Sequence, residues 1–202
     1  KMALSYLHTA GIAWSDVLPP VSSLSETERA VLASQLARGI NTVPTTSMGR
    51  LFDAVSALAG VRQSITYEAQ AAIEFEALVD SAEGGTYSFG IDERGGLAVI
   101  DPSPVLASIA DDVVAGVAVG VIAARFHRGV GNMIVETAES VRSRTGLTTV
   151  GLSGGVFQNV TLTHTARTAL TERDFEVLVH QLVPPNDGGL ALGQAVIAAA
   201  RR

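Results

Sequence analysis

The stretch Thr148 to Asn159, TTVGLSGGVFQN, runs from a β-branched apolar segment through a serine and two glycines into a helical pattern. A strand that passes directly into a helix belongs to a crossover unit, because parallel strands cannot be joined by a two-residue turn. Working outward, the expected elements are a strand at Thr148 to Leu152, a helix at Val156 to Leu170, a strand at Phe175 to His180 and a helix at Leu190 to Ala200. That alternation gives an α/β class with parallel strands and right-handed crossovers. In such sheets ligands sit beyond the carboxyl ends of the strands. The turns Ser153-Gly154-Gly155 and Pro184-Pro185-Asn186-Asp187-Gly188-Gly189 both follow strands at that edge.

Upstream the period differs. The first 82 or so residues read as all-helical, starting with Met2 to Leu7, and Pro19-Pro20 mark a loop between Trp14 and Ser25. Ser25 and Glu28 have the spacing of a capping box, and Asn41-Thr42-Val43-Pro44 ends the helix they open. Leu51, Val55, Leu58 and Ala59 predict an amphipathic helix from Ser47, and a further helix is expected over Tyr67 to Leu78. Tyr87-Ser88-Phe89 and Leu97 to Ile100 flank Asp92-Glu93-Arg94-Gly95-Gly96 as a hairpin. After Pro102 and Pro104 a helix is expected, followed by a longer one whose Ile122, Phe126, Val130, Met133, Ile134, Thr137 and Val141 share a core face. Residues 1–82 thus form a helical insert and residues 83–202 an α/β lobe.

Composition narrows the function classes. A chain of 202 residues with 47% hydrophobic content can bury a large core. Its 14 basic residues against 20 acidic ones, with no basic block, argue against nucleic acid as a partner. Cysteine is absent, so the chain holds no thiol nucleophile, disulfide or zinc-thiolate site of its own. The most apolar run, Val113 to Ala124, falls short of the roughly 20 residues a membrane-spanning helix needs. With no signal peptide at the start, a cytoplasmic protein is expected.

Four segments can carry chemistry. The double glycine at 154 and 155 opens backbone space for a phosphate at a helix start, or simply allows a tight turn. Asp187, followed by Gly188-Gly189, can cap the last helix or contribute one carboxylate to a cation, which would need further ligands. Ser47, Arg50 and Asp53 recur every three residues on one side of a helix, as does an N-cap with a surface ion pair. Gln70 and Glu74 lie one turn apart, an arrangement common on solvated helices. His8, His127, His164 and His180 have no neighbour at ligand spacing and read as packing or surface residues. No Ser-His-Asp set, P-loop or dinucleotide glycine motif is present, and no catalytic residue is assigned.

Taken together, SMGRLFDAV (47–55), YEAQAAIE (67–74), SGGVFQN (153–159) and PPNDGGLALGQA (184–195) resemble, in order and spacing, the C-terminal half of the carbamoyltransferase domain of HypF-type hydrogenase maturation proteins. The resemblance implies half of an actin-like (RNase-H-like, ASKHA) domain, with the helical insert and the α/β lobe both parts of one larger domain. It implies transfer of a carbamoyl group from ATP-derived carbamoyl-adenylate to the C-terminal cysteine of a HypE-type partner, in synthesis of the cyanide ligand of nickel-iron hydrogenase. By the same resemblance Ser47, Arg50, Asp53, Gln70, Glu74, Gly154, Gly155 and Asn159 contact the nucleotide. Asp187 would bind a divalent metal (iron, zinc or magnesium) shared with histidines that precede this chain. Tyr67 to Ala71 departs from the tRNA-modifying relatives, which carry a glycine-rich segment there. The family's metal histidines and its acylphosphatase, zinc-finger and adenylate-forming domains would lie upstream in the same polypeptide, leaving this segment inactive alone. Alternatives are a small-molecule O-carbamoyltransferase or tRNA threonylcarbamoyl-type enzyme, and a non-catalytic interaction module.

Overall fold

The computed structural model describes residues 1–201. It consists of two compact units, residues 1–129 and the residues from Val130 onward.

In the first unit, α1 (Met2–Thr9), a short α2 (Pro19–Ser22), α3 (Glu26–Arg38), α4 (Met48–Leu58) and α5 (Gln70–Ala77) precede a hairpin, α6 (Ser103–Val114) and the start of α7 (Val119–Thr145). The segment expected as a loop at Trp14 to Ser25 thus contains a helical turn, because Pro19 and Pro20 fall at its first positions, where a missing N–H costs nothing. The Ser25–Glu28 capping box forms in full. Its helix ends at Gly39, whose φ of 64° is left-handed, before the Asn41 to Pro44 segment is reached. α5 begins at Gln70 instead of Tyr67, since Ala69 takes a left-handed φ of 60° ahead of it.

Helix α4 is the centre of this unit and buries Leu51, Phe52, Ala54, Val55, Ser56 and Leu58. The buried Ser56 hydroxyl is satisfied by donating to the Ala71 carbonyl of α5 at 2.9 Å. Phe126 of α7 meets Phe52 edge-on at 4.9 Å between centroids and Phe75 at 6.0 Å. Buried His127 lies against the same rings, with Nδ1 2.7 Å from the Ala123 carbonyl, so that nitrogen carries the proton. Burial holds its pKa below the ordinary histidine value. It is a packing residue, as expected.

The hairpin pairs β1 (Gly90–Arg94) with β2 (Leu97–Asp101), from Gly90 opposite Asp101 to Arg94 opposite Leu97. Its loop is only Gly95-Gly96, with φ of 60° and 79°, the signature of a two-residue type I′ turn. Asp92, Glu93 and Arg94, expected in the turn, are therefore strand residues, and Tyr87 to Phe89 lie before the strand. Tyr87 is buried instead, its hydroxyl donating to Asp112 at 2.5 Å, and desolvation raises its pKa well above the phenol value. Because α6 buries Val105, Leu106, Ile109 and Ala110 and packs on α1 and α4, the compact unit extends past residue 82 to 129.

In the second unit β3 (Thr149–Leu152) runs parallel to β4 (Glu176–Val179), Leu152 opposite Val179, joined through α8 (Val160–Thr171). Val135, Leu152, Ala166, Leu170 and Phe175 form its core. The helix expected from Val156 is split into a 3₁₀ turn, Gly155–Gln158, and α8 proper. α9 (Leu190–Ala200) closes the chain as expected. No helix among the described residues is long and apolar enough to cross a membrane.

A Cβ on Gly129 in α7 would overlap the Tyr87 carbonyl oxygen, a backbone atom that cannot move aside. Gly129→Ala should therefore destabilise the protein by about 1–3 kcal/mol, despite the better helix propensity of alanine. A shift of the urea unfolding midpoint to lower concentration checks this.

Candidate functional site

At the carboxyl ends of β3 and β4 the two glycine turns meet. Gly154 donates its N–H to the Pro185 carbonyl at 2.8 Å, and a Cβ on Gly155 would stand 3.9 Å from that of Asn186. Gly154 has φ 103° and ψ 160°, a conformation reserved almost entirely for glycine, so the steric reading of the turn holds for this residue. Gly155 is different: its φ needs no glycine, and no protein atom crowds its missing side chain. The space left by Gly155 has no packing explanation.

Asn159 accepts from the Leu162 N–H at 2.7 Å and so caps α8. The expected helix start at Val156, with its free N–H groups, is thus displaced to Val160 and partly satisfied. Next to the glycines, Ser153 Oγ lies 2.8 Å from Nε2 of exposed His180. His180, Leu152, Phe157, Gln158, Thr163, Val179 and Pro185 line a shallow cavity of about 200 Å³.

Asp187 is exposed in a 3₁₀ turn, Asp187–Gly189, ahead of α9. Asn186 caps that turn, its side chain accepting from the Gly188 N–H at 3.0 Å, while α9 starts after Gly189 with no side-chain cap, so the helix-capping role considered for Asp187 is not taken. Among the described residues the Asp187 carboxylate has no hydrogen bond or ion pair, and no group of three His, Cys, Asp or Glu side chains gathers anywhere to hold an ion. The described residues supply at most one ligand at Asp187 and do not by themselves gather the ligand set a metal ion needs.

The other expected contacts lie in the first unit. Ser47 caps α4, accepting from the Arg50 N–H at 3.4 Å, and Arg50 pairs loosely with Asp53 at 3.6 Å. Burial raises the Asp53 pKa, and Arg50 offsets part of that rise. Gln70 is buried and accepts from the Thr66 N–H at 2.8 Å while donating to Glu74 at 2.9 Å. Arg62 grips Glu74 through two bonds of 2.8 and 2.5 Å, and these bonds, with that from Gln70, hold the Glu74 carboxyl below the usual range. Arg62 and Thr66 were not visible as partners in the sequence, because no periodicity links positions 62 and 74.

Residues 1–194 match the family described as "Carbamoyltransferase, Kae1-like Domain, second subdomain". The chain belongs to this HypF-type family. The carbamoyltransferase HypF of Rhizobium leguminosarum bv. viciae is 37% identical over 170 residues, covering 83% of this chain and 21% of that protein. A crystal structure of full-length HypF in the phosphate- and nucleotide-bound form superposes with a TM-score of 0.89 at 38% identity, over 98% of this chain and 26% of that one. HypF of T. kodakarensis gives 0.72 at 28% identity, over 86% of this chain and 22% of its own. The chain therefore spans about a fifth to a quarter of the length of these HypF relatives. The match establishes a mixed α/β HypF carbamoyltransferase subdomain with small sheets and many helices.

In this HypF-type subdomain the two adjacent glycines should separate on mutation. Gly154→Ala is expected to cost about 1–3 kcal/mol of stability through its φ, whereas Gly155→Ala should leave stability unchanged or raise it by a few tenths. Urea unfolding of both variants side by side measures the difference.

Proposed function

We propose that this chain is the part of a HypF-type carbamoyltransferase that holds a carbamoyl-adenylate at the ends of β3 and β4. The observation that carries the reading is the clearance at Gly155 beside the Gly154–Pro185 contact, a space in the strand-edge turn that protein packing does not require. The phosphate- and nucleotide-bound state of the HypF structure most similar among those described above supports it. On this reading the surrounding architecture is that of an actin-like domain, of which this chain forms half.

In the transfer, a thiolate of the acceptor attacks the carbamoyl carbon, the bond to the phosphate oxygen breaks, AMP leaves, and the thiol proton passes to solvent. The thiol comes from outside, since the chain has no cysteine; the acceptor on this reading is the C-terminal cysteine of a HypE-type protein, and the thiocarbamate formed is the precursor of a cyanide ligand. What this chain contributes is binding and orientation of the adenylate. Asp187, exposed and without a partner among the described residues, would serve as one of several ligands to an iron, zinc or magnesium ion completed by upstream histidines.

The nucleotide reading is tested in a polypeptide of the relatives' full length carrying this segment. Gly155→Val should weaken AMP binding by about tenfold or more in calorimetric titration while the circular dichroism spectrum stays unchanged. Wild-type affinity in the variant would overturn the assignment of this turn. Independently, Asp187→Ala should lower bound metal, measured by elemental analysis, together with carbamoyl transfer; full occupancy and full transfer would leave Asp187 outside the site.

A further inference from the structure

Leu152 and Val179 are the last paired residues of the parallel ladder, and Ser153 and His180 are the residues that follow them on the two strands. Neighbouring strands lie about 4.8 Å apart, so a hydroxyl and an imidazole at the next rung come within reach of each other. They meet at 2.8 Å between Ser153 Oγ and His180 Nε2. Both side chains are exposed, and the residue after Ser153 is Gly154, where a Cβ would find no atom within 4 Å. A ligand can approach the hydroxyl over that glycine.

We propose, building on the nucleotide reading above, that His180 is a positioning residue that aims the Ser153 hydroxyl at the phosphoryl group of the adenylate. The direction of the hydrogen bonds follows from proton counting. A serine hydroxyl has one proton and two lone pairs, and an ionised phosphoryl oxygen can only accept. If Ser153 donates its proton to phosphate, the 2.8 Å contact must be His180 Nε2–H donating into a serine lone pair. The imidazole thus fixes the rotation of Oγ–H toward the ligand and polarises it. His180 itself touches no reacting atom.

The test measures AMP and adenosine binding by calorimetry in the full-length protein, for wild type, Ser153→Ala, His180→Ala, the double variant and His180→Gln. AMP affinity should fall by about tenfold in Ser153→Ala and severalfold in His180→Ala, and the double variant should lose no more than Ser153→Ala alone. Adenosine affinity should stay level throughout, because it lacks the phosphate. The glutamine amide also presents an N–H donor, so His180→Gln should recover most of the loss. Unchanged AMP affinity in His180→Ala, additive losses in the double variant, or equal losses for adenosine would each overturn the proposal. If the wild-type protein binds adenosine and AMP equally, or binds neither, the nucleotide reading of the turn falls and this role falls with it.

Discussion

The hydrogen bond from the Gly154 N–H to the Pro185 carbonyl ties the loop after β3 to the loop after β4, and the proposed binding turn of the second unit is built around that tie. Parallel strands end at the same edge, so their following loops are neighbours by construction. Neighbouring loops are mobile unless something fixes their spacing. Here the Gly154–Pro185 bond and the Ser153–His180 contact both join them, and Gly154 takes a conformation that only glycine adopts at low cost. Ser153 and His180 meet at 2.8 Å beside the tie, and Asn186 bonds the Gly188 N–H in the loop that carries Asp187.

The first unit handles its polar groups in the opposite way. Gln70 and Glu74 are enclosed in a network with Thr66 and the two-point grip of Arg62, which orders the chain between α4 and α5. Asp53 is held less tightly: its partner Arg50 is mostly exposed and 3.6 Å away, and burial without close pairing is what raises its pKa. A carboxylate that is half-buried and poorly paired is more available to a ligand than one saturated by arginine. Of these four side chains, Asp53 and Arg50 are therefore the less saturated by protein partners.

Much of this is legible in the sequence, and each exception has its own physical cause. The capping box at Ser25 and Glu28, the parallel pair and the closing helix follow from local residue chemistry, and all appear. The hairpin is where the sequence predicts it but its loop is shorter than Asp92 to Gly96, because the turn propensity of Asp92-Glu93-Arg94 yields to a stricter requirement, positive φ, that Gly95 and Gly96 meet. Of the two roles open to Asp187 in the sequence, the cap of the last helix does not form, because a 3₁₀ turn capped by Asn186 intervenes and α9 starts after Gly189 with no side-chain cap. The Arg62–Glu74 and Ser153–His180 contacts depend on tertiary placement and strand register, which the spacing of residues along the chain does not encode.

The way the chain is built bears on how a transfer enzyme divides its labour. A group transfer needs a nucleophile, an activated donor and a means of holding them in line, and the last alone can account for a large share of the rate. This chain has no thiol to offer, and among its described residues no three His, Cys, Asp or Glu side chains gather to hold a metal ion. What it does have is backbone clearance, a hydroxyl with a fixed partner and a carboxylate unpaired among the described residues, all in the loops that follow two hydrogen-bonded strands backed by Leu152, Ala166, Leu170 and Phe175. Rigid backing of that kind matters because displacement of a bound donor by about 1 Å can cost two orders of magnitude in rate. The buried residues behind the turns, remote from any reacting atom, are in this sense part of the proposed function.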